Sequence, residues 1–168
     1  GGRMRKVLMQ APKNGFFYVI DRQSGELLSA KPFVPVNWLD KLDLKTGKAT
    51  VNAALADYSR SPKLVFPSGQ GGHSWNPMSF DPARRLVYLS AIEIGEYLYE
   101  PPERQVYLPH ARNMGNISVF STVSEPVLQR LPAPLQEAIR SGRLAKGQPD
   151  TRMRALLRAW DPVASRTV

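Results

Sequence analysis

The stretch Phe16-Phe-Tyr-Val-Ile-Asp-Arg-Gln-Ser-Gly-Glu-Leu-Leu-Ser-Ala30 decides the fold class. It opens with a run of aromatic and β-branched side chains, which is typical of a buried strand. Asp21 at the entry to a turn and Gly25 at a position that tolerates positive φ predict a tight hairpin, with Leu27–Ala30 as the partner strand. The apolar run Lys6–Gln10 adds a further strand before it. This part of the chain is therefore predicted to be a small antiparallel sheet.

The same Asp-led turn recurs along the chain. Asp43–Gly47 repeats it closely, whereas Asp81–Arg85 and Asp161–Ser165 repeat it without the glycine. The intervals between successive aspartates, 22, 38 and 80 residues, are uneven, so insertions must separate similar units. Repeated strand, turn, strand units favour an all-β fold and, within that class, a β-propeller. Another β protein with common turns is the open alternative.

The remaining segments suggest how the chain is organised. Residues 1–100 contain most of the predicted strands, and residues 101–158 form the largest insertion, which is predicted to be partly helical. Residues 159–168 are predicted to begin a further blade, cut short after Val168. Nothing in the length of 168 residues requires two domains.

Two helices are predicted inside the insertion. Pro134–Arg140 has proline early and meets Gly142 at its end, a pattern typical of helix boundaries. Thr151–Trp160 is the second predicted helix, with Leu156 and Leu157 facing inward.

Composition limits the chemistry that this chain can carry. The net charge of +9 raises a nucleic-acid hypothesis, but the basic residues are dispersed and no aromatic-interleaved basic motif accompanies them. The absence of cysteine excludes disulfides, thiolate ligands, a cysteine nucleophile and c-type haem attachment within this sequence. No apolar run is long enough for a transmembrane helix, and the first residues do not resemble a secretion signal.

Candidate polar residues form no recognisable catalytic set. His73 and His110 lack metal-ligand spacing and are interpreted as polar or structural side chains. A cluster of carboxylates is interpreted as a solvated rim: Glu93, Glu96, Glu100 and Glu103. Two loops are unusual. Lys13 lies in a tight connection between apolar strands, and Trp75 follows a pair of glycines, where an indole could pack on a ligand.

Four stretches resemble the quinoprotein alcohol dehydrogenases of the methanol/ethanol family, which use pyrroloquinoline quinone (PQQ). They are Val7–Arg22, Ser29–Val34 with Val36–Trp38, Gly71–Pro82 and Leu86–Ala91. The resemblance is weaker through the insertion and returns at Ala159–Pro162. The family fold is an eight-bladed propeller with PQQ and a metal ion on the central axis. The resemblance therefore implies that this chain is part of an incomplete propeller with a partly helical insertion.

The resemblance also implies roles for three residues. Lys13 matches the basic position that reaches the quinone oxygens of PQQ, where a cation would stabilise developing negative charge. Ser74 and Trp75 match an Asn-Trp pair that contacts the cofactor, although serine lacks the donors and the reach of asparagine. The family's catalytic aspartate and its calcium or lanthanide ligands match no residue of this chain, so no catalytic or metal-binding residue is assigned.

The whole protein is then expected to oxidise a primary alcohol by hydride transfer to PQQ, and this chain alone is expected to be inactive. A cytochrome c or a fused haem domain is the implied electron acceptor, the periplasm is the implied location, and a homodimer is an open expectation. The signal peptide is expected to lie outside this sequence. Two alternatives remain open at this stage: a non-catalytic β-propeller scaffold or interaction domain, and a basic nucleic-acid binder.

Overall fold

The computed structural model describes residues 3–103, 106–111, 113–141 and 152–168. Strands dominate this part of the chain, and the helices are few and short. In chain order the elements are β1 (Val7–Gln10), β2 (Phe16–Asp21), β3 (Leu27–Pro32), β4 (Leu39–Leu42), β5 (Ala49–Val51), α1 (Ala53–Ala56), β6 (Lys63–Val65), β7 (Ser79–Asp81), β8 (Leu86–Glu93), β9 (Glu96–Tyr99), β10 (Ile117–Phe120), α2 (Glu125–Leu128), α3 (Ala133–Ser141), β11 (Arg154–Asp161) and β12 (Arg166–Thr167).

The strands of the described residues form four antiparallel sheets. The first has the order β1-β2-β3, and β4 pairs with β5 in a separate hairpin. A four-stranded sheet has the order β12-β11-β8-β7, and a smaller one has the order β10-β9-β6. No sheet closes on itself, so every one of these sheets keeps two edge strands.

The three strands predicted from Lys6 to Ala30 are confirmed as the first sheet, in which Leu8 pairs with Ile20 and Tyr18 with Ala30. The four Asp-led segments are all confirmed as turns between paired strands. In each turn the aspartate Oδ1 accepts hydrogen bonds from the backbone N–H groups two and three residues later, at 2.7 to 3.3 Å. These bonds lower the pKa of all four aspartates.

The fourth residue after each of these aspartates has positive φ. The angle is 76° at Gly25 and 71° at Gly47, and it is 56° at Arg85 and 55° at Ser165. The turn geometry is therefore kept even where the sequence has no glycine to favour it.

Two apolar clusters organise the packing. The larger joins the first sheet to the four-stranded sheet and includes Phe17, Leu89 and Trp160. Phe17 and Trp160 stack with their ring centroids 5.3 Å apart, and both side chains are almost completely buried. The smaller cluster packs β6 and β9 against α3 through Phe66, Tyr97 and Leu135. Residues of β6 and of the region between β8 and β11 therefore share a second core.

The helix predicted over Pro134–Arg140 is confirmed as α3. The helix predicted over Thr151–Trp160 is wrong, because Arg154–Asp161 is a strand that pairs with β8 along most of its length. Leu156 packs toward the core, but Leu157 is 78% exposed, as alternation along a strand requires. Thr151 lies outside the described residues.

This strand belongs to the same sheet as β7 and β8, which also contains β12. That residues 159–168 begin a further blade stays a prediction. Strand β11 begins at Arg154, which lies inside the predicted insertion of residues 101–158. Among the described residues, no helix has the length and apolar character needed to cross a membrane.

Candidate functional site

The loop that carries Lys13 connects β1 to β2 and is called here the lysine loop, residues 11–15. Gly15 closes it with φ of 91°, and its carbonyl accepts a hydrogen bond from Phe33 N at 2.9 Å. The indole Nε1 of Trp38 donates to Asn14 O at 3.0 Å, and the Asn14 side chain caps Phe16 N at 3.2 Å. The backbone on both sides of Lys13 is therefore held, while the lysine side chain is exposed.

The loop that carries Ser74 and Trp75, called here the tryptophan loop, covers residues 71–76 and packs on the lysine loop. Gly72 N donates to Lys13 O at 3.1 Å, and Gly72 O accepts from Ile92 N of β8 at 2.8 Å. The tryptophan loop is thus fixed between the lysine loop and the four-stranded sheet.

Gly71 permits this close approach. Its φ is +86°, and a Cβ at this position would lie 2.6 Å from Cα, Cβ and Cγ of Lys13. Real Cβ atoms do not approach other atoms so closely, and L side chains rarely adopt this φ. Only glycine fits at position 71 without displacing Lys13.

His73 provides a second link between the loops. Its Nδ1 lies 2.7 Å from Ala11 O, and the residue is 7% exposed. A carbonyl oxygen can only accept, so Nδ1 carries the proton in this contact. The interpretation of His73 as a structural side chain agrees with this bond. His110 is exposed and has a positive φ of 64°.

Ser74 and Trp75 line a cavity of about 300 Å³ between the tryptophan loop, β8 and β11. Its walls include Ser90, Ala91 and Leu156. Ser74 is half-buried, whereas the Trp75 side chain is 89% exposed. Lys13 is not a wall residue of this cavity. The structure therefore brings the backbone of Lys13 to the tryptophan loop, with the Lys13 side chain outside the cavity.

The carboxylate cluster differs from the expected solvated rim. Glu93 is buried and forms ion pairs with Arg154, at 3.3 Å, and with Arg158 across the paired strands β8 and β11. Glu96 accepts a hydrogen bond from Gly69 N at 2.7 Å. Glu100 and Glu103 are exposed, as expected. The interpretation of Glu93 as a rim residue is wrong because β11 places two arginines beside it.

No group of three or more His, Cys, Asp or Glu side chains is arranged to bind a metal ion within the described ranges.

No family model matches this chain, but the comparison with curated sequences and the comparison with solved structures agree with each other. The quinohemoprotein alcohol dehydrogenase ADH-IIG of Pseudomonas putida is 51% identical over 104 residues, which cover 61% of this chain and 14% of that protein. The quinohemoprotein alcohol dehydrogenase of Comamonas testosteroni is 52% identical over 90 residues, covering 54% of this chain and 12% of the relative. Lupanine 17-hydroxylase [cytochrome c] from a Pseudomonas species is 42% identical over 91 residues, covering 52% of this chain and 13% of that enzyme.

Solved structures show the same likeness. The structure of ADHIIG from Pseudomonas putida HK5 superimposes on 99% of this chain and 22% of its own, with a TM-score of 0.73 and 35% identity. A europium-containing methanol dehydrogenase superimposes on 99% of this chain and 25% of its own, with a TM-score of 0.71 but only 20% identity, so that likeness concerns the fold alone.

The mostly-β fold and the sequence likeness together make this chain similar to one segment of quinoprotein dehydrogenases. Within that class the likeness is to quinohemoprotein alcohol dehydrogenases, and the chain spans only 12 to 14% of the length of the curated relatives described above.

Two residues that shape the site were missed as site residues by the sequence analysis. From the sequence, Gly71 is only one of the pair of glycines before Trp75, and His73 is interpreted as a polar or structural side chain. Both lie in the same short segment as Ser74 and Trp75. The signal that could have found them was this adjacency, since a loop that presents a ligand-binding side chain must itself be held in place.

Proposed function

We propose that this chain is part of an eight-bladed PQQ-dependent alcohol dehydrogenase and that it contributes Lys13, Ser74 and Trp75 to the cofactor site. The observation that carries the proposal is the packing of the tryptophan loop on the lysine loop, through Gly72 N and Lys13 O at 3.1 Å. This contact holds a cation and an aromatic ring on neighbouring, well-anchored loops. The likeness to quinohemoprotein alcohol dehydrogenases supports the identity of the ligand.

The chemical types of these three side chains suit an anionic, planar cofactor. The ammonium of Lys13 is exposed on a fixed backbone and can meet an anionic oxygen, while the exposed Trp75 ring offers a flat apolar face and an indole donor. The Ser74 hydroxyl can donate or accept one hydrogen bond, with less reach than an amide. We assign no metal ligand and no catalytic base to this chain. Both are proposed to lie elsewhere in the whole protein, with calcium or a lanthanide as the metal.

PQQ, when bound, would supply the hydride-acceptor chemistry for the proposed alcohol oxidation. Lys13 would hold its positive charge at the quinone oxygens, where negative charge develops during this transfer. Trp75 would cover the cofactor and limit the access of water. The proposed substrate is a primary alcohol, and the proposed acceptor is a cytochrome c or a fused haem domain, as the name of the lupanine hydroxylase suggests for that relative. The proposed location is the periplasm.

The experiment uses the complete gene product in which this sequence occurs. The apoprotein is titrated with PQQ in the presence of calcium, cofactor binding is followed by absorbance and by quenching of tryptophan fluorescence, and dye-linked oxidation of ethanol is then measured. We expect saturable PQQ binding and alcohol-dependent dye reduction. A protein that binds no PQQ with calcium or with a lanthanide would overturn the proposal and favour the non-catalytic scaffold.

The role of Lys13 is tested by Lys13→Met. We expect the turnover number to fall by about 10²- to 10³-fold, the loss typical of removing one group that stabilises developing negative charge. Lys31→Met is the matched control, because Lys31 is an exposed lysine on the neighbouring strand β3 and should leave turnover unchanged. Equal turnover in the two variants would contradict the assignment of Lys13.

A further inference from the structure

Three contacts converge on a short segment of the tryptophan loop. The Gly72 N–H donates to Lys13 O, the Gly72 carbonyl accepts from Ile92 N, and the His73 side chain reaches Ala11 O at 2.7 Å. The first two are backbone contacts, which need glycine at position 72 only because a Cβ there would lie 2.4 Å from Val34 Cγ2. The third depends on the side chain at position 73 alone.

The His73 contact is also protected from water. The residue is 7% exposed, so its hydrogen bond forms away from competing water, where a broken bond leaves a buried carbonyl without a donor. Ala11 is itself 2% exposed and belongs to the larger apolar cluster. The imidazole therefore ties the start of the lysine loop, two residues before Lys13, to the residue immediately before Ser74.

The two ring nitrogens have different surroundings. Nδ1 donates to Ala11 O, whereas Nε2 is buried and has no hydrogen-bond partner among the described residues. The imidazole also forms part of the wall of the cavity that Ser74 and Trp75 line. Substitution can test Nδ1 and Nε2 separately. Asparagine places an amide nitrogen near the position of Nδ1, and glutamine places one near the position of Nε2.

We propose that His73 is a positioning residue for the cofactor site: through Nδ1 and Ala11 O it holds Lys13 in register with Ser74 and Trp75. This inference rests on the proposed function, because it concerns the same site. It differs from a general structural role in that the effect must pass through Lys13. His73 acts as a fixed hydrogen-bond donor through Nδ1 and takes no part in proton transfer.

The test compares three variants of the complete gene product by PQQ titration of the apoprotein, with circular dichroism used to confirm that each variant is folded at the assay temperature. His73→Phe removes both nitrogens and should weaken PQQ binding by about 10- to 100-fold, by analogy with the loss that follows removal of the outer hydrogen-bond partners of metal ligands. His73→Gln should behave like His73→Phe. His73→Asn keeps a donor near the Nδ1 position and should bind PQQ within about threefold of the wild-type value, where the bound is set by an imperfect hydrogen bond.

A double-mutant cycle separates positioning from stability. If His73 acts through Lys13, then the Lys13→Met/His73→Phe variant should have about the same turnover number as Lys13→Met alone. The effects of substituting residues that act as a unit do not add. A merely structural role predicts that the two losses multiply. Either multiplied losses, or rescue by glutamine in place of asparagine, would overturn the inference. Failure of the wild-type protein to bind PQQ would instead overturn the proposed function, so the two failures are distinguishable.

Discussion

Gly71→Ala tests directly whether the geometry of the lysine loop depends on the tryptophan loop. Alanine at position 71 must adopt a φ of +86°, which costs about 1–2 kcal/mol for an L-residue. Its Cβ would also lie 2.6 Å from three atoms of Lys13, two of which belong to the start of the side chain and one to the backbone. Relief of this overlap requires the loops to separate, and overpacking of this kind costs about 1–3 kcal/mol more.

Gly47→Ala is the matched control. Gly47 has a similar φ of +71°, but a Cβ there would meet no atom within 4 Å. It should therefore show the backbone strain alone, about 1–2 kcal/mol. Any larger effect of Gly71→Ala then measures the contact with Lys13.

The assay is urea unfolding of both variants, followed by PQQ titration under conditions where both are folded. We expect Gly71→Ala to lower the free energy of unfolding by about 1–3 kcal/mol more than Gly47→Ala does. We also expect it to weaken PQQ binding, whereas Gly47→Ala leaves the affinity unchanged. Equal destabilisation together with equal affinity in the two variants would refute the reasoning, because it would show that the two loops are not coupled at this contact.

Two further predictions concern stability. Trp160→Ala removes the ring that stacks on Phe17 between two sheets and should lower the free energy of unfolding by about 3–5 kcal/mol. Leu157→Ala, on the exposed face of the same strand, should change the free energy of unfolding by no more than about 0.5 kcal/mol. Similar urea midpoints for the two variants would contradict the assigned core. The pKa of Asp43 is lowered chiefly by the backbone N–H of Lys45, which donates to its carboxylate. The charged form of Asp43 therefore stabilises the turn at pH values above the unfolded-state pKa of about 3.9. This stabilisation is lost as the pH falls through the lower folded-state pKa. The stability advantage of the wild-type protein over Asp43→Asn should therefore be present at pH 7 and shrink below about pH 4, and an advantage that grew on acidification would be inconsistent with this sign.

The local structure was the most predictable part of this chain. The Asp-led turns could be recognised because the chemistry that makes them, an aspartate side chain that accepts from two following N–H groups, lies within four residues of sequence. The first sheet was predictable for the same reason, since its two connections are short. Arg85 and Ser165 show that the turn is set by the aspartate and its hydrogen bonds, with glycine as an aid and not a requirement.

The failures involve contacts between residues that are distant in sequence. Residues 154–161 contain an apolar pair and two arginines, which fits an amphipathic helix locally, but pairing with β8 over seven positions outweighs this weak local preference. The same pairing brings Arg154 and Arg158 to Glu93, more than sixty residues earlier, and buries a carboxylate that local sequence would leave in solvent. Neither partner is identifiable from its own neighbourhood.

The candidate site lies between these two cases. Lys13 and Trp75 were proposed by resemblance, which carries residue identities but no contacts, so only their adjacency to Ser74 and Trp75 in sequence pointed to Gly71 and His73. The tryptophans illustrate what the contacts add. Trp160 is 2% exposed and fills the space between two sheets, as expected of a core residue, whereas Trp75 is 89% exposed on a loop whose preceding residues are anchored to Lys13, Ala11 and Ile92.

Anchoring of this kind does not serve to bury Trp75, because the anchored part of the loop ends just before the indole. Since a large exposed aromatic side chain contributes little to folding, the contacts at positions 71–73 are better explained by a requirement to place the ring for an occupant from outside the described chain. On this argument, Trp75→Ala should leave the urea midpoint nearly unchanged while weakening PQQ binding, the opposite of what Trp160→Ala should do. Substantial destabilisation by Trp75→Ala would show instead that the indole packs against another part of the whole protein and would count against its role in cofactor binding.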